Sequence, residues 1–305
     1  MELRVLQYFL AVAREQSIVR AAESLHLSQP TLSTQIKAME EELGKQLLIR
    51  GTKGSRKVTL TEEGMILRRR AEEILNLVQK TEREISLSDQ VTVGDVHIGA
   101  GETDAVRFIV KAARELYKTC PGIQYHISSG NSEFVLEQLD KGLIDFGIVF
   151  GSIDHAKYNS IPLPHKDIWG VLMRKDSPLS AKETISPEDL WDKSLIVSRQ
   201  DDNNGVLTAW IEREISELKI VATYNLLFNA SLMVEEGLGY AIGFDKIINT
   251  SGNSNLCFRP LSPKIEEGMC IIWKKYQIFS KASEKFMQQI KEFSLPLNST
   301  ITRID

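Results

Sequence analysis

Residues 17–60 read SIVRAAESLHLSQPTLSTQIKAMEEELGKQLLIRGTKGSRKVTL, and this stretch decides the fold of the first part of the chain. Ser17 is placed to cap a short helix, because its hydroxyl can accept a hydrogen bond from a free N–H group of the first turn. Ser28 can cap a second helix in the same way, and Pro30 is tolerated because N–H groups of a first turn lack helical partners anyway. The predicted buried stripe of the first helix consists of Ile18, Ala21, Ala22 and Leu25.

The second of these helices has two contrasting faces. Its apolar side, at 100° per residue, consists of Leu32, Ile36, Met39 and Leu43. The opposite side is small, polar and cationic, and it carries Pro30, Ser33, Thr34 and Lys37. Docking in a DNA major groove needs small hydrogen-bonding side chains near a helix N-terminus, so this is the predicted recognition helix. An amphipathic helix over residues 2–14 is predicted to pack behind it, with Leu3, Leu6, Phe9, Leu10 and Ala13 facing inward.

A basic two-stranded wing is predicted to follow. Neither residues 24–39 nor residues 43–61 contain an Asp or Glu, so carboxylates are absent where DNA phosphates are expected. Predicted strands at 47–50 and 57–60 flank a glycine-rich turn that can hold cations against the DNA backbone. The cations in and around the wing are Lys45, Arg50, Lys53, Arg56 and Lys57. The alternative is a solvated helical subdomain with a charged loop.

The motif as a whole resembles the LysR-type transcriptional regulators. The resemblance rests on Arg20-Ala21-Ala22, on the run from Leu25 to Ser33, and on Leu60-Thr61-Glu62-Glu63-Gly64. It implies that base and phosphate contacts come from the recognition helix and that Arg50 and the wing cations contact the DNA backbone. The predicted DNA-binding residues are Arg20, Ser28, Gln29, Pro30, Thr31, Ser33, Thr34, Lys37, Arg50, Lys53 and Arg56.

A long helix without proline is predicted after Thr61, which can cap it. Its apolar residues alternate at spacings of three and four, a pattern that keeps one seam facing a partner helix. The predicted dimerisation residues are Leu67, Ala71, Ile74, Val78 and Ile85. The alternative is a helix that packs on its own domain.

Composition sets further limits. The chain has 305 residues and a net charge of −4, yet residues 1–90 carry 14 Lys and Arg against 13 Asp and Glu. The nearly neutral first domain is therefore expected to bind DNA through an oriented basic face. No apolar run is long enough to cross a membrane, and the N-terminal helix carries Glu2 and Arg4, unlike a signal peptide. We expect a cytoplasmic protein with no membrane contact.

From residue 92 onward, strands alternate with helices, which predicts an α/β fold. Proline-containing segments at Pro162-Leu163-Pro164 and Ser262-Pro263 interrupt this alternation. They suggest two lobes, with the chain passing from one lobe to the other at each of these two segments. The LysR resemblance extends over the whole chain and implies a two-lobed, periplasmic-binding-protein-like effector domain. The predicted domains are a winged helix-turn-helix at 1–60, a linker helix and hinge at 61–91, and an effector domain at 92–305. Its lobe I is predicted at 92–162 and 265–305, and its lobe II at 163–264.

Ligands of such folds bind between the lobes, near strand ends and helix N-termini. Polar stretches follow three predicted strands, and Arg199 is the natural partner for a carboxylate ligand. Glu102 argues against a highly anionic ligand unless it points away. The predicted effector-binding residues are Gly101, Glu102, Thr103, Ser128, Ser129, Gly130, Asn131, Phe150, Arg199 and Gln200. The alternative is that these residues are ordinary helix caps and turns.

The expected function is a DNA-binding transcriptional regulator controlled by a small polar metabolite. Its expected partners are double-stranded promoter DNA, the effector and further copies of the chain, as a homodimer paired into a homotetramer. No cofactor and no metal site are expected. An enzyme is disfavoured because the chain has no nucleophile elbow, P-loop or His-Glu-x-x-His helix. A redox-responsive regulator that uses Cys257 and Cys270 is the remaining alternative.

Overall fold

The structure is a computed structural model that describes residues 1–50, 57–86, 93–199 and 206–294. The predicted wing residues Lys53 and Arg56 and the predicted effector residue Gln200 lie outside these ranges. The chain divides into two compact units, Met1–Ser86 and Leu87–Asp305. None of the described helices combines the length and the apolar character that crossing a membrane requires.

The first unit is a helical bundle with a small antiparallel ribbon. Its elements are α1 (Leu3–Glu15), α2 (Ile18–Ser24), α3 (Gln29–Leu43), β1 (Leu48–Arg50), β2 (Val58–Leu60) and α4 (Glu62–Ser86). Both predicted serine caps are confirmed, since Ser17 Oγ accepts from the Arg20 amide and Ser28 Oγ from the Thr31 amide. β1 pairs antiparallel with β2, as expected for the base of a wing.

The core of this unit lies where α1, α2 and α3 meet. Phe9, Ala21 and Leu32 are buried there, one from each helix. Two residues that were predicted to face inward are exposed instead, namely Leu3 and Leu43. They lie in the first turn of α1 and the last turn of α3. Helical periodicity identifies the side of a helix that is buried, but not how far the covering elements reach.

The predicted dimer seam of α4 divides into two parts. Ala71 is completely buried in the core of its own unit, so the prediction that it faces a partner is wrong. Leu67 and Ile74 pack partly against the same core, whereas Ile85, near the end of the helix, is 69% exposed. A spacing of three and four residues reveals an apolar stripe but does not say which neighbour covers it.

The second unit is an α/β fold, as the alternating pattern predicted. Its strands are β3 (Val93–Ala100), β4 (Gly122–Ser129), β5 (Phe146–Phe150), β6 (Tyr158–Arg174), β7 (Leu195–Ser198), β8 (Ile220–Tyr224), β9 (Tyr240–Phe244), β10 (Leu256–Pro260) and β11 (Glu266–Lys274). Its α-helices are α5 (Val106–Tyr117), α6 (Ser132–Asp140), α7 (Val206–Ile211), α8 (Leu227–Glu235) and α9 (Lys281–Ser294). Over the described residues, the strands form one sheet in the order β4-β3-β5-β11-β6-β9-β7-β8, with β10 also paired to β6.

The sheet carries two hydrophobic lobes. In the first lobe, Ile109 of α5, Phe146 of β5 and Phe286 of α9 share one buried cluster. In the second lobe, Val171 of β6 and Ile242 of β9 belong to another. The parallel strands β3, β4 and β5 lie in the first lobe, and the parallel strands β7, β8 and β9 lie in the second.

A single strand, β6, passes from one lobe to the other through Pro162 and Pro164. The segment Pro162-Leu163-Pro164, which was predicted to mark a crossing between the lobes, lies inside this strand. Up to Ile168, β6 pairs only with β11, and its pairing with β9 begins at Trp169. The prolines therefore lie where β6 is an edge strand, and proline is tolerated there because one side of the strand donates no ladder bonds.

Candidate functional site

The N-terminal part of α3 presents the predicted recognition face on the surface of the first unit. Gln29, Thr34 and Lys37 are exposed, and Ser33 is half-buried. Ser28 and Thr31 have a structural role as well, since their hydroxyl oxygens are 2.7 Å apart and the Thr31 amide donates to Ser28. The capped turn thus holds the predicted base-contacting residues on one rigid helix end.

Two arginines that were predicted to bind DNA are held by contacts within the unit. The Arg20 guanidinium donates to the Glu15 carbonyl at 2.9 Å and so connects α2 with the end of α1. Arg50 lies 3.6 Å from the carboxylate of Glu40, and its side chain is 45% exposed. The same carboxylate accepts from the amides of Leu47 and Leu48 at 2.8 and 3.1 Å. Glu40 therefore fixes the start of β1 against α3. The sequence did not reveal this role, because the positions of acidic residues along the chain do not show which amides and cations their carboxylates contact.

A cleft of about 50 Å³ lies between the two lobes of the second unit. Among the predicted effector residues, its walls include Gly101, Glu102, Thr103, Gly130, Asn131 and Phe150. Side chains that were not predicted complete it, and these include Trp169, Tyr224, Asn225 and Phe244. Trp169 and Phe244 form an edge-to-face pair with centroids 4.6 Å apart. The cleft therefore combines aromatic walls with hydroxyl and amide groups.

Three predicted effector residues lie away from the described walls of this cleft. Ser128 and Ser129 are exposed at the end of β4, which is an edge strand, and neither is among the described walls of this cleft. Ser129 instead lines a neighbouring pocket of about 420 Å³, which shares Gly101, Glu102 and Thr103 with the cleft. Arg199 is also exposed, and its Nε donates to the Thr223 hydroxyl at 3.3 Å. The residues that follow a strand reach the cleft only where the chain turns inward, and sequence alone does not reveal that direction.

Glu102 points into the cleft and connects the two lobes. Its carboxylate accepts hydrogen bonds from the amides of Leu227 and Phe228 at the N-terminus of α8. Burial raises the pKa of the Glu102 carboxyl, and the two amide bonds partly oppose that increase. A helix N-terminus is a favourable position for a negative charge because its N–H groups lack helical partners. The carboxylate of the protein itself therefore occupies the anion-binding position of this cleft.

A polar network continues from the cleft into the crossing strand β6. The Thr103 hydroxyl donates to Asp167, and His165 Nε2 lies 2.9 Å from the other Asp167 oxygen. Asp167 is completely buried, and this burial raises the pKa of its carboxyl group, although Thr103 and His165 partly oppose the increase. Asp245 accepts from the Ile168 amide at 3.0 Å, next to the network. Sequence reasoning missed Asp167 because a lone aspartate after a proline pair carries no motif.

We expect Asp167→Asn to raise the melting temperature at neutral pH. The pKa of Asp167 is higher in the folded than in the unfolded protein, so this group adds stability as the pH falls through the folded pKa and costs stability above it. Asparagine keeps an acceptor for Thr103 without a buried charge. Differential scanning calorimetry should find the variant above wild type near pH 7.5, with the difference shrinking toward pH 4. A variant that melts below wild type at every pH would contradict this assignment.

Two family models match the chain. The model described as "Bacterial regulatory helix-turn-helix protein, lysR family" matches residues 3–65. The model described as "LysR substrate binding domain" matches residues 89–294, which is more than half of the chain. The chain belongs to the LysR family.

Individual LysR-family proteins resemble the chain over most of its length. An uncharacterised HTH-type transcriptional regulator of Shigella flexneri is 26% identical over 95% of this chain and 93% of its own length. The DNA-binding transcriptional dual regulator OxyR of Escherichia coli is 31% identical over 65% of this chain and 63% of its own length. Full-length CbnR, solved in complex with its target DNA, shares the fold with a TM-score of 0.74, at 19% identity, over 96% of this chain and 100% of its own.

Membership of the LysR family confirms the predicted class of function. The chain is a DNA-binding transcriptional regulator with an effector-binding domain, and it is not an enzyme. The mixed α/β architecture with an N-terminal helix-turn-helix is confirmed as well.

The cysteines of this LysR-family chain are unsuited to the redox alternative. In the register of the sheet, Cys257 lies opposite Met173 of β6 and Cys270 lies opposite Pro162. These two positions on β6 are 11 residues apart, which is about 36 Å along a strand, far beyond the roughly 7 Å limit between the Cα atoms of a disulfide. Burial also raises the pKa of both thiols, which disfavours the reactive thiolate. We therefore do not propose Cys257 and Cys270 as a redox pair.

Proposed function

We propose that this LysR-family regulator binds promoter DNA as a homodimer through the exposed face of α3, and that a small ligand in the cleft controls it by displacing Glu102 from α8. The observation that carries the regulatory part is the contact between the Glu102 carboxylate and the two amides of α8, because this contact joins the lobes across the ligand cleft. A ligand that competes for those amides alters the link between the lobes.

The proposed DNA-binding surface is the exposed N-terminal end of α3. Gln29 and Thr34 are exposed on the helix end that Ser28 caps. Lys37 lies one turn further along with its ammonium 3.4 Å from Glu41. Both side chains of that ion pair are about two-thirds exposed, so the pair is weak and Lys37 is available to a phosphate. The wing residues Lys53 and Arg56 remain part of the proposed surface on sequence grounds.

Lys37→Ala is expected to weaken binding to every DNA sequence about equally. Removing one phosphate contact should reduce the slope of log K against log salt by about one for each bound helix. Titrations of a labelled duplex at several salt concentrations measure the slope. Lys111→Ala, an exposed lysine on α5 of the second unit, is the matched control and should leave the slope unchanged. Equal slopes for Lys37→Ala and wild type would show that Lys37 does not contact a DNA phosphate.

The walls of the cleft indicate the chemistry of the ligand. Trp169 is buried in the cleft wall, and its Nε1 is one of the few buried polar atoms in the described residues that lack a hydrogen-bond partner. A buried unpaired N–H is costly and is satisfied when a ligand brings an acceptor oxygen. Thr103, Asn131 and Asn225 offer further polar groups. These features support a small ligand that carries a carboxylate or carbonyl oxygen.

The volume of the cleft limits the size of that ligand. About 50 Å³ accommodates only a few water-sized groups. A larger metabolite must either separate the lobes or extend into the neighbouring pocket of about 420 Å³, whose walls share Gly101, Glu102 and Thr103 with the cleft. In both cases it lies beside the Glu102 carboxylate, and displacing that carboxylate from α8 alters the link between the lobes.

Apolar residues on the surface of α4 support the proposed assembly. The later part of α4 carries Leu77 and Ile85 exposed and Val78 half-buried, and this surface supports a homodimer through α4. Pairing of dimers into a tetramer remains part of the proposal, as do the domain limits 1–60, 61–91 and 92–305. Sedimentation of the intact chain across the concentrations used for DNA binding tests the assembly. A monomer at full operator occupancy would contradict it.

Footprinting tests the function as a whole. Purified protein is titrated on the DNA beside its own gene, over a salt series, with a random duplex of equal length as control. A protected site with two-fold symmetry supports the proposal. Equal, salt-sensitive binding to both duplexes would show that the protein binds DNA without sequence specificity, and would contradict the proposal.

A further inference from the structure

Three side chains that commonly bind metals meet on one face of the sheet in the second unit. Asp95 and His97 are two residues apart on β3, so they lie on the same face of the strand. His126 of β4 is in register with His97. One ligand atom from each of these residues lies within 4.8 Å of the other two.

Existing contacts hold this cluster together. His126 Nε2 lies 2.9 Å from Asp95 Oδ1. The rings of His97 and His126 stack with their centroids 4.7 Å apart and their planes 17° from parallel. On the β5 side, the carboxylate of Asp145 accepts from the His97 amide at 2.8 Å. The backbone under the cluster is therefore fixed by bonds from both neighbouring strands.

The donor set indicates a class of ion. Two imidazole nitrogens and one carboxylate oxygen suit Zn²⁺, Co²⁺ or Ni²⁺, whereas Mg²⁺ and Ca²⁺ prefer oxygen ligands only. Donors at about 2.1 Å from a tetrahedral ion lie roughly 3.4 Å apart, so each pair of donor atoms must shift by no more than about 1.4 Å. The side chain of His126 is 39% exposed, which allows this rotation and lets water supply the remaining ligand.

We propose that Asp95, His97 and His126 bind one divalent transition-metal ion of the Zn²⁺ class. The site is separate from the effector cleft, because its β3 ligands lie at residues 95 and 97 while the cleft begins beyond the end of that strand, at Gly101. The ion would connect β3 with β4, because its ligands come from both strands. The proposal does not depend on the identity of the effector.

Metal titration of the full-length chain, prepared without a polyhistidine tag, tests the proposal. Co²⁺ is added to the metal-free protein and its visible d–d absorption is followed, and Zn²⁺ is then added to displace it. We expect one saturable site per chain. His126→Gln and Asp95→Asn should each weaken Co²⁺ binding by at least about tenfold, since even partners of metal ligands contribute 10–100-fold.

The matched control is His155→Gln, because His155 is an exposed histidine outside the cluster. It should bind Co²⁺ as wild type does. Thermal melts of the metal-free variants, followed by circular dichroism, show whether a variant has lost a metal ligand only or has also lost its fold. Two variants are used so that the test still holds if one of them misfolds. The proposal fails if wild type shows no saturable site, if His126→Gln and Asp95→Asn bind as tightly as wild type, or if His155→Gln loses binding equally.

Discussion

Gln29→Ala is expected to abolish most of the preference of this regulator for its operator while leaving the fold intact. Gln29 is exposed at the first position of α3, where the helix meets its Ser28 cap. A side-chain amide at that position can make two hydrogen bonds to the edge of an adenine, and such a pair is worth about 1–3 kcal/mol. For each recognition helix, this is roughly a 5- to 150-fold loss of specific affinity.

Fluorescence anisotropy with the operator and with a random duplex measures this effect. The affinity for the random duplex should hardly change, because nonspecific binding depends on phosphate contacts that Gln29 does not provide. Gln288→Ala, an exposed glutamine on α9 of the second unit, is the matched control and should bind as wild type does. An unchanged ratio of operator to random affinity in Gln29→Ala would defeat the assignment of α3 as the recognition helix.

Glu102→Ala is expected to lower the melting temperature of the effector-binding domain and to open the cleft to small anions. The substitution leaves the amides of Leu227 and Phe228 without their carboxylate partner. Hydrogen bonds to a charged group contribute about 1.5–3 kcal/mol, and relief of the burial cost that raises the Glu102 pKa offsets part of this loss. The fall should therefore not exceed roughly 3–12 °C for a domain of this size. Calorimetry of the full-length chain measures the fall.

Adding acetate to Glu102→Ala tests whether the lost stability comes from the missing carboxylate at the N-terminus of α8. Acetate is small enough to take the place of the missing side chain, so it should raise the melting temperature of Glu102→Ala and affect wild type far less. Sodium chloride at equal ionic strength controls for salt, and Glu183→Ala, an exposed glutamate in a loop, controls for loss of a charge. If acetate stabilises Glu102→Ala no more than wild type, the carboxylate does not occupy an anion site.

Local signals were enough to predict the DNA-binding unit. Ser17 and Ser28 cap their helices as expected because capping depends on residues three positions away, which the sequence displays directly. The alternation of strands and helices after residue 92 was recognisable for a similar reason. The seam of α4 was harder, because Ala71 and Ile85 share one periodic pattern although the core of the unit covers only the first of them.

The effector cleft depends on contacts that span long stretches of sequence. Glu102 meets Leu227 across 125 positions, and Thr103 meets Asp167 across 64. No local pattern in the sequence marks either pair. For the same reason, Arg199 was a plausible carboxylate ligand by its chemistry but lies outside the described walls of the cleft.

The amino-acid sequence by itself determined the helix-turn-helix, the caps of its helices, the α/β character of the second part and the LysR family. Each of these rests on residue types at short, regular spacings, which act through bonds within one turn or one strand. Only the tertiary structure decided that Glu102 binds the N-terminus of α8, that Asp167 lies buried in the strand between the lobes, and that Asp95, His97 and His126 meet. These contacts depend on the order and register of strands, and that arrangement arises from packing the whole sheet rather than from any single segment.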